Sequence, residues 1–341
     1  MENNENNRIW FIDYAKILGL WMVIFAHLYT SEGISDSNVV RTFIYGFHMP
    51  FFFAISGMLY KQRKEGLKFA LLKNVKSLFI PWLFFNLLFI IFVVLTTDHT
   101  IIDVIKTFCS CVYKGKDTYC GASWFIICLF FIKCIYDILK QSNKMYLVYI
   151  IIILTFLPKI RHFYFAATTI GFTFYFIGNI SQQFLTTLNF RKKTFAFAAI
   201  LCFVFSYFLT QINGKVSVLG AWINNPIIFY INAIVGSMGI LLLALIFKNK
   251  AYEFAAKLST ASIGIVLTHM AIVNHVRMFR SHLQLNNIEL FLFYSIAACC
   301  IYVICYYIYV VINKYAPWVF GRRYNYRPNC LTVSSTICCI P

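Results

Sequence analysis

Residues 8–29, RIWFIDYAKILGLWMVIFAHLY, decide how the rest of the chain is read. The stretch has the length of a membrane-spanning helix, about 20 mostly apolar residues, yet it holds Asp13, Lys16 and His27 among apolar neighbours. On a helix of about 100° per residue, Lys16 and His27 fall within about 20° of each other, and Asp13 within about 40° of His27. The three polar groups therefore share one stripe. A rise of about 1.5 Å per residue puts Lys16 and His27 about 16 Å apart along the axis, one towards each leaflet. An ionisable group at the centre of a bilayer costs about 2.5–3.5 kcal/mol even on the lenient scale, so such groups face a protein interior or a wet cavity. An Asp13–Lys16 pair at i, i+3 beside a hydrogen-bonded His27 is the plain structural alternative. The shared stripe reads better as the wall of a site.

Composition agrees with a membrane setting. Hydrophobic residues make up 60% of the chain and charged ones 12%, with a mean hydropathy of +0.72. These values mark an integral membrane protein and leave no room for a soluble domain between the apolar runs. Glu2 and Glu5 precede the first run and no small-residue cleavage site follows it, so that run is expected to remain as an anchor. The formal net charge of +18 invites a nucleic-acid reading, but its distribution points to topology and to no nucleic acid.

Apolar runs predict an all-α bundle of about ten transmembrane helices at 10–29, 42–60, 77–96, 122–139, 145–158, 163–180, 194–212, 226–247, 259–279 and 289–313. The fifth run is short, and its failure to cross would invert every later segment. With the N-terminus cytoplasmic, the cytoplasmic segments carry nineteen basic residues and the external loops eight. That bias satisfies the positive-inside rule and places both termini in the cytoplasm. Residues 1–315 then form one membrane-embedded domain and 316–341 a loose cytoplasmic tail. No internal repeat is visible, which weighs against a transporter built on inverted repeats.

Of the twelve cysteines, Cys128, Cys134, Cys202, Cys299, Cys300 and Cys305 lie in apolar runs, where cysteine acts as a small hydrophobe. Cys109, Cys111 and Cys120 share the external loop 97–121 and are the candidates for a disulfide. No Cys/His spacing suits zinc, and no metal is assigned. The connector KQRKEGLKFALLKNVK (61–76) is basic and amphipathic. It satisfies the positive-inside rule by itself or attracts anionic headgroups; its clustered Lys and Arg also suit a polyanionic cytoplasmic cofactor.

Other polar groups at membrane depth are few. His48 enters the second run at the depth at which His27 leaves the first, followed by Pro50, a first-turn proline or a kink, and by the small pair Ser56–Gly57. Pro81 and Asn86 lie in the third run, Trp124 opens the fourth and Asn232 sits in the eighth. The ninth holds His269 near mid-depth, while His275 and Arg277 suit the interface.

This set resembles the acyltransferase-3 family, multi-span bacterial enzymes that add acetyl or similar groups to hydroxyls of surface glycans. Asp13, Lys16 and His27 match its first-span Arg-x10-His pattern preceded by Asp, with Lys in place of Arg. Arginine clamps an anion bidentately and lysine acts as a point charge, so the donor role of Lys16 is weakened by the exchange. FHMPFFFAISG (47–57) is similar to the family's second span, IPW (80–82) to its third, SWF (123–125) to its fourth, and SIGIVLTH (262–269) to a late motif ending in His that here lacks its usual tyrosines. The resemblance covers residues 8–280 and implies a compact sugar O-acetyltransferase without an attached hydrolase. It implies a multi-pass protein of the bacterial inner (plasma) membrane, with acetyl-CoA or another acyl-CoA as co-substrate and polysaccharide modification in the cell envelope as its setting. Its partners are then acyl-CoA, a glycan or lipid-linked sugar acceptor and membrane lipids.

Acyl transfer to an alcohol needs a base and charge stabilisation for the oxyanion. His27 is expected to serve as base or acyl relay, with Asp13 and Lys16 alongside. Lys16, Lys61, Arg63 and Lys64 would hold the donor, and His48, Ser56, Trp124 and His269 the acceptor. A flippase for a lipid-linked sugar uses the same stripe as a pathway, whereas a scaffold would leave the stripe without a task.

Overall fold

The computed structural model describes residues 8–29, 39–156, 162–247 and 252–322. Among these, fourteen α-helices follow one another: α1 (Trp10–Leu28), α2 (Val39–Tyr45), α3 (His48–Met58), α4 (Leu67–Asn74), α5 (Ile80–Thr96), α6 (Ile101–Lys114), α7 (Trp124–Gln141), α8 (Leu147–Leu154), α9 (Phe165–Thr187), α10 (Lys192–Asn213), α11 (Pro226–Leu245), α12 (Glu253–Thr260), α13 (Ser262–Ser281) and α14 (Asn287–Tyr315). The all-α expectation holds. Eight stretches among the described residues are long and apolar enough to cross a membrane: Trp10–Leu28, Val39–Met58, Leu67–Thr96, His162–Thr187, Lys192–Asn213, Pro226–Leu245, Ser262–Ser281 and Asn287–Tyr315. Rows such as Leu83, Leu87, Ile91 and Leu95 on α5, or Phe197, Leu201 and Phe208 on α10, face outward. Water tolerates no such continuous apolar surface, whereas lipid requires it.

The runs at 122–139 and 145–158 are the two of the ten that do not meet this measure. α7 carries Lys133, Asp137 and Lys140, and α8 has eight residues, about 12 Å of helix. The chain nonetheless passes between the two ends of the bundle here. Trp124 lies in a cavity with His27, while Asp137, near the other end of the same helix, lies in a pocket with Lys61 and Arg63. Tyr164 is back at the His27 end, its hydroxyl donating to the Lys116 carbonyl at 3.0 Å.

Backbone chemistry sets the breaks. Pro50 sits in the first turn of α3, where its missing N–H costs no helical bond. The chain turns at Gly46–Phe47 just before it, and His48 Nδ1 reaches back to the Ile44 carbonyl at 3.0 Å. A π-helical turn, Val75–Phe79, precedes Pro81 at the start of α5. Gly57 and Gly178 let α3 and α9 touch backbone to backbone. A Cβ on Gly57 would overlap the Tyr175 carbonyl, and one on Gly178 the Ala54 carbonyl. The expected close approach at Ser56–Gly57 is thus real. Asn232 is structural: it accepts from Ser206 Oγ at 2.5 Å and donates to Thr210 Oγ1 at 3.0 Å.

Two segments differ from expectation. The long external loop contains α6, capped by Thr100 accepting from the Asp103 N–H at 3.2 Å and ended by Gly115 at φ +63°. Its candidate cysteines Cys109, Cys111 and Cys120 are all free. The tail expected to be loose from 316 begins instead with a packed 3-10 turn, Pro317–Phe320. Val319 is buried there, and the Phe320 ring stands 4.8 Å from that of Tyr309. Apolar side chains that lose helical periodicity still find a core when the chain folds back. The rest of the tail lies outside the described residues.

Candidate active site

α1 runs the height of the bundle and contributes to a cavity at each end. The histidine cavity, about 360 Å³, takes Leu20, Val23 and His27 from α1, His48 from α3, Trp124 from α7 and His269 from α13. The basic cavity, about 410 Å³, takes Asp13 and Lys16 from α1, Leu59 and Lys61 beyond α3, and Gln182 from α9. Lys16 lines one and Leu20 the other, a single turn or about 6 Å apart along the axis. Between them on α1, Gly19 packs closely against the rings of Phe51 and Phe52, an aromatic septum at the level where one cavity gives way to the other.

Imidazoles dominate the histidine cavity. The His27 and His269 ring centroids are 5.4 Å apart. His269 is buried, its Nδ1 is 3.0 Å from the Ile265 carbonyl, and its Nε2 has no protein partner. A carbonyl only accepts, so neutral His269 carries its proton on Nδ1 and presents a bare Nε2 lone pair. His48 is held in the same way by Ile44. His27 differs: its Nδ1 lies 3.2 Å from the Tyr45 hydroxyl, which either donates or accepts. Two imidazoles are locked as acceptors, and the third is free to exchange a proton.

The loop after α6 closes this cavity. Thr118 donates to Asn86 Oδ1 at 2.6 Å and lies 2.9 Å from Ser123 Oγ, while Cys120 Sγ donates to the Leu267 carbonyl at 3.2 Å. Asn86, a lone polar group in an apolar helix, thereby pins the loop that carries Asp117 to the cavity mouth. Asp117 is open to solvent, yet the protein around its carboxyl pushes it up to about 6. Burial pushes the Cys120 thiol up to about 12, which keeps it a donor. Ser217, Val218 and Leu219 form part of the remaining wall.

At the other end Asp13 is paired with Arg8 and not with Lys16. Arg8 Nε donates at 2.6 Å and Nη2 at 3.2 Å, and Nη2 also reaches the Ala256 carbonyl of α12 at 3.1 Å. The i, i+3 pair is replaced because the longer, planar guanidinium offers two donors to one carboxylate. A third pocket, about 50 Å³, adjoins the basic cavity through Leu59 and Lys61 and contains Arg63, Lys73, Lys133 and Asp137.

Of the residues expected at the site, His27, His48, Trp124 and His269 meet in the histidine cavity, and Asp13, Lys16 and Lys61 in the basic one. Arg63 lies in the third pocket. Lys64 is exposed and lines none of the three, and Ser56 is half-buried and lines none either. Asp117 joins the histidine cavity from a loop that gave no periodic signal, and Arg41 and Tyr45 join it from the short helix α2, where only Tyr45 falls within the run predicted at 42–60. Lys133 and Asp137 did leave one: two ionisable residues a turn apart inside an apolar run.

A family model described as an acyltransferase domain matches residues 9–310, nearly the whole described bundle. The chain belongs to the acyltransferase-3 family. Neither a curated protein nor a solved structure matches it. Membership makes this acyltransferase a multi-pass membrane protein, and every residue lining the two cavities except Arg8 lies within the matched residues.

Proposed function

We propose that this acyltransferase moves an acyl group, acetyl in the simplest case, from cytoplasmic acyl-CoA to a hydroxyl of a cell-surface glycan or its sugar precursor in a bacterial plasma membrane. One observation carries the reading: a cavity lined by three imidazoles lies one helix turn from a cationic cavity, on the same helix. In the proposed topology the chain crosses about ten times, both termini are cytoplasmic, and the basic cavity opens inward. The excess of basic residues on that side supports this orientation, as do the positions of Trp124 and Tyr164 at one end of the bundle and of Asp137 at the other.

The acceptor hydroxyl enters the histidine cavity. Locked lone pairs on His48 and His269 favour a ligand rich in hydroxyl donors, and the Trp124 face suits a sugar ring. His27 removes the proton as the oxygen attacks the thioester carbonyl. The tetrahedral intermediate collapses, re-forming the carbonyl as the C–S bond breaks, and the leaving thiolate takes the proton from the imidazolium. An acyl-His27 relay splits the same chemistry into two steps. Lys16 and Lys61 hold the donor, with Arg63 in the adjoining pocket, while Asp13 aligns Arg8 beside them. For the donor arm to reach His27, the Gly19–Phe51 septum must part.

Purified protein supplied with labelled acetyl-CoA and a panel of glycans tests this. Label in an alkali-labile ester, lost in His27→Ala, is the expected result. Transfer unaffected by His27→Ala overturns the site. Movement of a lipid-linked sugar across liposomes, with no new ester, replaces the enzyme with a flippase.

A further inference from the structure

In the third pocket Lys73, Lys133 and Asp137 have no task in the chemistry above. The pocket is small, about 50 Å³, and four basic side chains enter it: Lys61, Arg63, Lys73 and Lys133. Their counter-charge among the lining residues is Asp137, which is 4% exposed. Asp137 Oδ2 accepts from Asn74 Nδ2 at 2.8 Å, and Oδ1 is buried without a partner. Lys133 projects from α7 in an otherwise apolar run, an expensive place for an ammonium group unless a function holds it there. The π-helical turn after Asn74 adds a distortion of a kind often found at functional sites.

We propose that this pocket binds a phosphate monoester, and that the group it takes is the 3′-phosphate of the coenzyme A nucleotide. The inference rests on acyl-CoA being the donor. Four cations against one anion leave an excess that suits a dianion, and a phosphate monoester carries about −1.5 to −2 at neutral pH. On this measure of volume a single water needs about 10–15 Å³, so the pocket holds a group of a few heavy atoms and not a nucleobase. It shares Leu59 and Lys61 with the basic cavity. A ligand with two separated anionic groups therefore spans both, its diphosphate at Lys16 and Lys61 and its monoester at Arg63, Lys73 and Lys133. A phospholipid monoester offers the same chemistry from another source.

The test is calorimetric titration of the full-length protein in phospholipid-free detergent with adenosine 3′,5′-bisphosphate, and with adenosine 5′-monophosphate as the ligand lacking the 3′-monoester. The bisphosphate is expected to bind at least about tenfold more tightly, and Lys133→Met to remove about tenfold from its affinity while leaving the monophosphate unchanged. Asp137→Asn should shift affinity the opposite way, an increase that a merely disrupted fold cannot produce. Wild type binding both nucleotides alike, or Lys133→Met weakening both alike, overturns the proposal. Repeating the titration in nanodiscs containing phosphatidic acid separates the sources: undiminished binding supports the nucleotide, and competitive loss overturns it in favour of the lipid. Bisphosphate binding without acetyl-CoA turnover would keep the pocket and discard the acyl-CoA donor. Turnover indifferent to Lys133→Met would do the reverse.

Discussion

The two larger cavities are close in size, about 360 and 410 Å³, and opposite in chemistry. The histidine cavity has apolar and aromatic walls with three imidazoles as its main titratable groups. The basic cavity is lined by an Arg8–Asp13 ion pair with Lys16 and Lys61 added. Charge suits the capture of a polyanion, whereas neutral nitrogen lone pairs suit the removal of a proton from a hydroxyl. One helix supplies residues to both, and a turn of that helix keeps them apart. In the proposed reaction a thioester exposed to water on the acceptor side would be open to hydrolysis, and the rings packed at Gly19 would keep the two reactants apart until transfer.

The sharpest way to break this division is His27→Ala. Loss of a general base costs about 10²–10⁴ in rate, so acceptor turnover should fall by about that factor while donor binding by calorimetry stays within twofold, roughly. Lys16→Met should do the converse: donor KM rises about tenfold with little change in kcat, and Lys16→Arg restores it. A fall in kcat at constant KM would move Lys16 into the reaction and dissolve the distinction.

The septum comes next. A Cβ on Gly19 would press into the Phe51 ring, which must rotate to make room. Gly19→Ala should cost about 1–3 kcal/mol of stability, read as a lower Tm, and should slow transfer without altering donor affinity. Unchanged transfer would place the donor path elsewhere.

The smallest effect belongs to Asp117, whose carboxyl titrates at about 6 facing the cavity of His27, His48, His269 and Arg41. Above that pH its carboxylate stabilises an imidazolium, so the rate should decline as pH falls through about 6. Asp117→Asn should flatten that limb with a loss of about threefold at high pH. Stability moves the other way. Between the ordinary 3.8 and about 6 the folded chain binds more protons than the unfolded one, so ionisation of Asp117 costs stability as pH rises through that window. Asp117→Asn should therefore raise Tm at pH 7 and raise it less at pH 4.

Much of this was legible before any folding. The stripe of Asp13, Lys16 and His27 follows from helical period alone, as does its division between two leaflets. Pro50 was legible as a first-turn proline or a kink, and Ser56–Gly57 announced a close helix contact. Less was legible where charge was read by proximity in sequence. Lys16 was the nearest cation to Asp13, yet Arg8 holds it, because a side chain's reach and donor number outweigh spacing along the chain. Lys64 sits within a basic cluster and faces solvent, since a cluster of like charges has no preferred direction.

The sequence by itself determined an all-α membrane protein with a polar stripe on its first helix, because hydrophobic length and helical period are local properties; the acyltransferase reading came from the motifs that resemble the family. Tertiary structure alone decided that His269, 242 residues from His27, stands beside it. It also decided that Asp117 rims the same cavity, and that Lys133 and Asp137 meet the basic connector. Those meetings depend on how helices distant in sequence cross, and that is settled by packing, at contacts such as Gly57 on Tyr175 and Gly19 on Phe51.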